Sequence, residues 1–564
     1  MKLQDCTTSA PIEGGSALNK CLHSTRLYLE TIRHLKPRQL FWRGFYKFCK
    51  PRKRKITTFD TRPKNGTWQE PLFKPASWLG DLRFRFLNVE LALHGAGGWN
   101  DSDTPKLWLY NLHYFDWLQS ASVDEDPEGQ LSLMRLWAAQ NPFGSGNGWE
   151  PYPVSLRIVN WVKFALRTGA LPRDLASNLA LQIDYLSQRV EYDLLGNHLM
   201  ANAKGLLFGG WFFQGAAADR WARLGLELMR LQMDEQILPD GGHFERSAMY
   251  HAIILEDILD LINLARTMGQ PVPAQWTDAL PRMRRWLLAM THDDGCIALF
   301  NDAAFDVAPQ FAELEAYARR LDLPPAAPLQ PGLLPLTDSG YFRWKAGSAL
   351  LIGDVGALGP DYQPGHGHAD TLSFELSIGP DRLIVDSGTS TYAAGMERLR
   401  QRSTHAHNTV IIDSRDSSEV WGSFRVGRRA RICELKISDD GSGICATHNG
   451  YRWLPGRPLH RRCWHLAVDG LELIDQILGD RSHFAAMAFH FHPSVKMVLD
   501  GAEVVGSAGG STFRARLPDA LAWTIQQDEW HPRFGQQLPN LKLVGEAMIQ
   551  LPCRLTTRFI VSIP

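Results

Sequence analysis

The sequence predicts a two-part protein, helical first and all-β second: stacked antiparallel helix pairs curving into a toroid or solenoid, then stacked antiparallel sheets. Three observations carry this. The chain has 564 residues, too many for one hydrophobic core, so two or three domains are expected. From about residue 70 to 320, apolar residues recur at three- and four-residue spacing. Beyond about residue 322 the apolar period becomes two.

Taken in order, residues 1–65 read as a peripheral N-terminal segment. Its basic run Lys50–Lys55 reads as a solvated linker, with contact to an acidic glycan or a membrane surface as the alternative. Residues 66–321 form the helical domain. Helices are expected at Leu131–Gln140, Val154–Thr168, Leu175–Tyr192, Asn202–Gly215, Ala218–Glu235, Ala248–Met268 and Ala279–Thr291, several bounded by Pro or Gly. Their similar lengths and short connections favour antiparallel neighbours, and no repeat of fixed period is present. Residues 322–336, rich in Pro and Leu, read as a linker. Residues 337–564 form the β-domain. Strands are expected at Tyr341–Trp344, Ala349–Asp354, Leu372–Ile378, Arg382–Asp386, Thr409–Ile412, Arg429–Ile437, Leu466–Leu478, Ala485–Phe491 and Phe559–Ile563.

Composition narrows the function. Hydrophobic content of 44% and charged content of 21% are ordinary for a globular protein. Sixty basic residues balance sixty acidic ones, which argues against a dedicated nucleic-acid binder. Eight cysteines are scattered without a Cys-x-x-Cys pair, so reduced thiols are expected rather than a disulfide framework or zinc finger. Met1–Glu30 lacks a signal-type apolar core, with Asp5 and Glu13 where one would lie, and no stretch reaches the length of a membrane span. A cytoplasmic location is the expectation. Nineteen tryptophans serve either to stack on sugar rings or to fill helical cores.

The chemistry concentrates between Tyr362 and Thr409. Gly365–Asp370 reads Gly-His-Gly-His-Ala-Asp, Val385–Gly388 reads Val-Asp-Ser-Gly, and Thr404–Thr409 reads Thr-His-Ala-His-Asn-Thr. On a strand, His-x-His turns both rings to one face. The helical half holds four polar clusters: Leu109–Tyr114, with Asn111 and His113; Gly148–Pro153, with Trp149, followed by Arg157; Gly196–Leu199; and Asp240–His251, with Arg246 and Tyr250. In a toroid, such helix ends line the central cleft. Each also has a structural reading, as a helix cap or a satisfied core residue.

With these motifs in order and at similar spacing, roughly residues 70–480 resemble the heparinase II/III-like family of polysaccharide lyases. The matching pieces are Asn197-His198, Asp240–Tyr250, Gly365–Asp370, Asp386 and His407-Asn408-Thr409. The resemblance implies an incomplete (α/α) toroid followed by an antiparallel β-sandwich. It also implies β-elimination at a uronic acid of an acidic polysaccharide, giving a 4,5-unsaturated product. Carried over residue by residue, Asn197 and His198 neutralise the substrate carboxylate, and Tyr250 serves as base, acid or both. His366 is the catalytic histidine of the β-domain. Arg246, one helical turn before Tyr250, would share its face and lower the cost of a phenolate. His368, Asp386 and His407 are the implied set for a structural zinc, the alternative being a hydrogen-bonded cluster bracing the sheet. Asn111, His113, Trp149, Arg157, Arg246, His405 and Asn408 are the substrate-binding candidates, and Lys204, Arg398, Arg400 and Arg402 further cations. By family resemblance a periplasmic location is the alternative to the cytoplasm. Two competing readings stand beside the lyase. One is an inactive glycan-binding or exopolysaccharide-biosynthesis accessory protein. The other is a metal-dependent hydrolase, suggested by His366-x-His368-x-Asp370 but opposed by Thr371 where a further His belongs.

Overall fold

The computed structural model describes residues 17–54, 56, 60–120, 126–467 and 470–562. The signal-peptide reading of the first residues, Lys55 of the basic run and Cys6 lie outside or partly outside these. Helices at Lys106–Tyr114, Pro127–Gln140, Pro151–Thr168, Arg173–Gln188, Asn197–Phe212, Ala216–Gln236, Ala248–Thr267, Ala274–Ala289 and Phe311–Arg320 build the helical domain. Their ends follow local chemistry. Pro127 and Pro151 start helices where the missing N–H costs nothing, Gly169 closes one in the left-handed conformation, and Ser247 caps another by accepting from Tyr250 N at 3.3 Å.

Two helices position the site. In Asn197–Phe212 every residue is buried except His198, because the sequence is apolar on all sides. A Cβ added at Gly210 would lie 2.5 Å from Ala222 N, so glycine lets the next helix, Ala216–Gln236, pack against it. Ala248–Thr267 is likewise central, with Tyr250, Ile253 and Arg266 its only residues short of burial.

Among the described residues the β-domain holds three large sheets and a two-stranded ribbon of Val420–Trp421 with Arg425–Val426, and the paired strands are all antiparallel. A five-stranded meander runs Gly332–Leu336, Tyr341–Ala346, Ala349–Asp354, Phe374–Ile378 and Asp381–Ile384. A four-stranded sheet orders Ala522–Trp530, Leu538–Gln550, Ser482–His490 and Val410–Ile412. An eight-stranded sheet orders Ile432–Ile437, Ile444–His448, Leu459–Ala467, Gly470–Leu478, Cys553–Ser562, Ser511–Arg516, Glu503–Ala508 and Lys496–Asp500. The meander is buried on both faces. Tyr341, Leu350 and Ile352 lie in the helical core, while Phe342, Trp344 and Leu351 lie in the sandwich core.

Several expectations change. The linker 322–336 is a linker only in its first part, since Gly332–Leu336 is the first strand of the meander. Leu466–Leu478 is not one strand but parts of two paired antiparallel, Leu459–Ala467 and Gly470–Leu478. Cys445 and Cys463 sit directly opposite on neighbouring strands and form a disulfide, against the expectation of reduced thiols. The large tryptophans Trp99, Trp108, Trp117, Trp137, Trp161, Trp276 and Trp286 are fully buried, so they fill the core. The N-terminal segment is not merely peripheral: helices Ala17–Ile32 and Pro37–Phe48 strap the two domains together. Gln39 donates to the carbonyls of Leu194 in the helical domain and Tyr362 in the β-domain.

Candidate active site

Three strained turns and one helix start bring the chemistry together. Leu195, Arg246 and Asn301 all take left-handed backbone at φ 72°, 59° and 59°, a cost borne where the surroundings fix it. The Arg246 carbonyl accepts from Tyr341 Oη at 2.6 Å and Asn301 Nδ2 at 3.0 Å, so the segment before Tyr250 is held from the β-domain side. Asn301 Oδ1 in turn accepts from His368 N at 2.9 Å.

Tyr250, from the helical domain, and His366, from the β-domain, pack with ring centroids 4.1 Å apart. Tyr250 Oη lies 3.2 Å from Tyr392 Oη. Burial first, then Tyr392, Tyr152 and Asp302, push the Tyr250 phenol well above its ordinary value, so it rests protonated. Asn197 opens its helix after Gly196; its backbone N and Nδ2 donate to the two oxygens of Glu245 at 2.9 and 2.8 Å. Glu245 Oε2 is 3.8 Å from His366 Nε2. Burial raises Glu245, but His243, His366 and the Asn197 donors outweigh it and hold the carboxylate ionised. His198, the half-buried exception on its helix, shares Nδ1 with Glu191 Oε1 at 3.0 Å. Burial lowers its pKa, yet Glu191, Glu245 and Asp193 raise it more, so it favours the cation. Tyr110, Tyr114, Tyr152 and His198 follow one another at centroid distances of 6.3, 5.9 and 4.5 Å, an aromatic wall leading to Asn197.

Behind His366 lies Asp302. Its Oδ2 is 2.9 Å from His366 Nδ1, its Oδ1 2.9 Å from His368 Nε2, and Arg398 binds both oxygens. Burial raises Asp302, but Arg398, His366 and His368 pull it well below the usual carboxylate range. A carboxylate only accepts, so His366 carries its proton on Nδ1 and His368 on Nε2. His366 and His368 do converge on one point, though from a loop between strands rather than from a strand.

His368, lowered to about 3 by burial despite Asp302, is neutral, which leaves Nδ1 a lone pair; that atom is buried without a protein partner. His407 Nδ1 lies 2.7 Å from Asp386 Oδ2, and its Nε2 is also buried and unpartnered. The two rings lie 5.4 Å apart. These two imidazole nitrogens, one on a ring oriented by a carboxylate, are donors of the kind zinc takes, but the expected set of His368, Asp386 and His407 does not bring three ligand atoms within 4.8 Å of one another. Asp386 spends Oδ2 on His407 Nδ1 and Oδ1 on Gly388 N, so both of its oxygens are engaged within the protein. Among the described residues, Glu397, Glu529 and His531 are the one trio with ligand atoms within 4.8 Å of one another, and the Arg400 guanidinium already pairs with all three.

The other candidates fall outside this constellation. His113 is fully buried, Nε2 on Trp99 O and Nδ1 on Trp137 Nε1–H. Arg157 is fully buried and spends its guanidinium on Gln182 and the carbonyls of His113 and Gly148. Trp149 is buried with Nε1 on Asn141 O, and Asn111 bonds back to Leu107 O in its own helix. Arg246 Nη1 reaches Ala357 O in the β-domain, away from the phenol it was expected to assist. Asn408 is fully buried, bonding Phe374 O and Val385 O, and His405 is exposed where Lys542 and His490 act on it. Arg398 and Arg402 are buried braces, and Lys204 pairs with Asp257 and Asp260. Glu245, Asp302 and Tyr392, which touch Asn197, His366 and Tyr250, were missed by sequence reasoning. Only Glu245 had a signal, its place in the Asp240–Tyr250 segment.

Comparison with known proteins bears on the family and the fold. A family model described as Heparinase II/III N-terminus matches residues 104–320, and one described as Heparinase II/III-like, C-terminal matches residues 329–554. FtsZ-localized protein C of Caulobacter vibrioides is 26% identical over 465 residues, covering 76% of each chain. A heparin-sulfate lyase of Pedobacter heparinus is 24% identical over 361 residues; the match covers 56% of this chain and about half of that one, 53%. A crystal structure of heparinase III superposes with a TM-score of 0.69 at 15% identity, covering 96% of this chain and 90% of that one, and shows the toroid-plus-sandwich fold. That fold lacks the αββα alternation that the metallo-hydrolase reading of His366-x-His368-x-Asp370 requires. With one family's two models following each other along the chain, the chain belongs to the heparinase II/III-like family of polysaccharide lyases.

Proposed function

We propose that the protein cleaves an acidic, uronate-containing polysaccharide of glycosaminoglycan type by β-elimination. The observation that carries this is the stacking of Tyr250 against His366 across the two domains, beside Asn197 and His198. A uronate carboxylate placed on the free amide hydrogen of Asn197 and on cationic His198 loses much of its charge, which acidifies the C5 proton. His366, its Nδ1–H fixed by Asp302, offers the Nε2 lone pair and takes that proton. The released electron pair forms the C4–C5 double bond, the C4–O4 bond breaks, and the protonated Tyr250 phenol gives its proton to O4. Tyr392 and burial keep that phenol protonated until then.

His368 and His407 would hold a structural zinc, with Asp386 orienting His407; bound there, the metal ties the His366 loop to the sheet core. The Cys445–Cys463 disulfide favours the periplasmic alternative over the cytoplasm. An inactive accessory role remains the second reading, favoured by one observation: the relative matching over 465 residues has a name that states a location and no activity.

The deciding experiment screens uronate glycans for ultraviolet absorbance of the unsaturated product. Tyr250→Phe and His366→Ala abolish it with natural substrates. With an activated leaving group at C4, Tyr250→Phe recovers turnover and His366→Ala does not. Glycan binding without product in the wild type would establish the accessory reading.

A further inference from the structure

We propose that the helix Pro37–Phe48 and the basic stretch after it form an interfacial anchor that docks on an anionic lipid bilayer. The helix is two-faced. One side is tied down: Gln39 and Tyr46 are buried, Tyr46 Oη donates to Val190 O, and Trp42 packs on Tyr192 with centroids 4.9 Å apart. The other side carries Phe41, Phe45 and Phe48, spaced so that they share a face, and they are 63%, 41% and 83% exposed. Leu40 at its edge is also exposed, as are Leu29 and Ile32 on the preceding helix. Rings as large as these are not left in water in a row without a counterpart.

The charge around them says which counterpart. From Thr31 to Phe59 the sequence holds ten Lys and Arg and no Asp or Glu, in a chain whose total charge is zero. Arg33, Lys36, Arg38 and Arg54 pair with acidic residues of the fold. Lys47, Lys50, Arg52 and Lys53 are exposed along the helix end and the stretch after it, whereas Arg43 lies on the tied-down side near Asp193. Apolar rings framed by cations match the boundary between acyl chains and anionic headgroups. An acidic glycan would match the cations but not a row of three exposed phenylalanine rings. No helix among the described residues is long and apolar enough to cross a membrane, so the contact is peripheral. Neither family match reaches this segment, since the first begins at residue 104.

The test is flotation of the full-length protein with vesicles of phosphatidylcholine alone and with about one third phosphatidylglycerol. The protein is expected to float with the anionic vesicles only, and less at high ionic strength. The triple variant Phe41→Ser, Phe45→Ser, Phe48→Ser and the pair Lys50→Glu, Lys53→Glu each lower binding about tenfold or more. Because all five side chains are exposed, the melting temperature stays unchanged. No flotation, equal flotation with both vesicles, or variants that bind like wild type overturn the proposal. So does concentration-dependent dimerisation, or heparin binding, that the phenylalanine variant abolishes while vesicle binding is absent.

Discussion

An Asn in place of Asp302 keeps the shape of the side chain and reverses its meaning. The amide nitrogen donates, so facing His366 Nδ1 it draws the imidazole into the tautomer with its proton on Nε2, and the base loses its lone pair. Asp302→Asn therefore lowers kcat about 10³- to 10⁴-fold with KM little changed, by analogy with tautomer control in other histidine bases. The same variant leaves Arg398 buried with its charge unmatched, at a cost of about 3–5 kcal/mol seen in chemical denaturation. A kcat within a few-fold of wild type would show that His366 is not the base. Tyr392→Phe removes only the hydroxyl partner of Tyr250 and is expected to cost less than about tenfold in kcat. At this scale, sequence reasoning reached the residues that sit in compact motifs, Asn197, His198, Tyr250 and His366, and the structure brings them together. It missed Asp302 and Tyr392, single residues in unmarked stretches, placed only by tertiary contact. It overrated the cations for the same reason. Nothing in the letters of Arg157, Arg246, Arg398 or Lys204 distinguishes a guanidinium or ammonium waiting for substrate from one bonded to the protein.

The helices answer to acid through histidines that the fold keeps neutral. His113 accepts Trp137 Nε1–H on Nδ1 and donates Nε2–H to Trp99 O; His251 accepts His243 N–H on Nδ1 and pairs Nε2 with Met283 O. A second proton on either ring breaks its accepting bond. Burial first, with nearby positive charge, lowers both to about 3, and burial lowers His243 to about 4. Unfolded, each titrates near 6.5. The unfolded chain thus binds more protons from about pH 6.5 down to about 3, so stability is complete above that window and falls as pH drops through it. Melting temperatures at pH 7.5, 6 and 5 are expected to decline in that order, and His113→Gln and His251→Gln flatten the decline while lowering the starting value. In the β-domain the corresponding element is the His368–His407 pair. Purified protein is expected to contain about one zinc per chain by elemental analysis, lost in His368→Ala, with a chelator lowering the wild-type melting temperature only. Elements with long, largely apolar runs were legible, as in Ala248–Thr267 and Ala349–Asp354. The start of Asn197–Phe212 was not, because its first turn is polar where the chemistry needs Asn and His. Strands such as Glu503–Ala508 and Ser511–Arg516 also escaped notice, their outward residues being a mixture of charged, small and apolar.

At the scale of the whole molecule, the five-stranded meander decides how the protein unfolds. Its strands alternate between two interiors, so every second residue of Tyr341–Ala346 and Ala349–Asp354 serves one core or the other. The helical domain cannot lose the β-domain without exposing the apolar surface under Leu336, Tyr341, Leu350 and Ile352, at roughly 25 cal/mol per Å². Polar ties run the same way: Trp286 Nε1 donates to Ser339 Oγ at 2.8 Å, His292 holds Glu375 at 2.8 Å, and Arg382 holds Asp294 at 2.7 Å. The cleft lies on this shared boundary, since Tyr250 comes from one side and His366 from the other. The arrangement predicts one cooperative calorimetric transition for the intact chain, with calorimetric and van't Hoff enthalpies in agreement, despite its two-domain sequence pattern. A fragment ending at residue 321 is expected to be aggregation-prone and without a sharp melting transition. Two separate transitions, or a fragment that melts cooperatively, would mean that the domains close on each other only loosely, and that Tyr250 and His366 meet through substrate rather than through the fold.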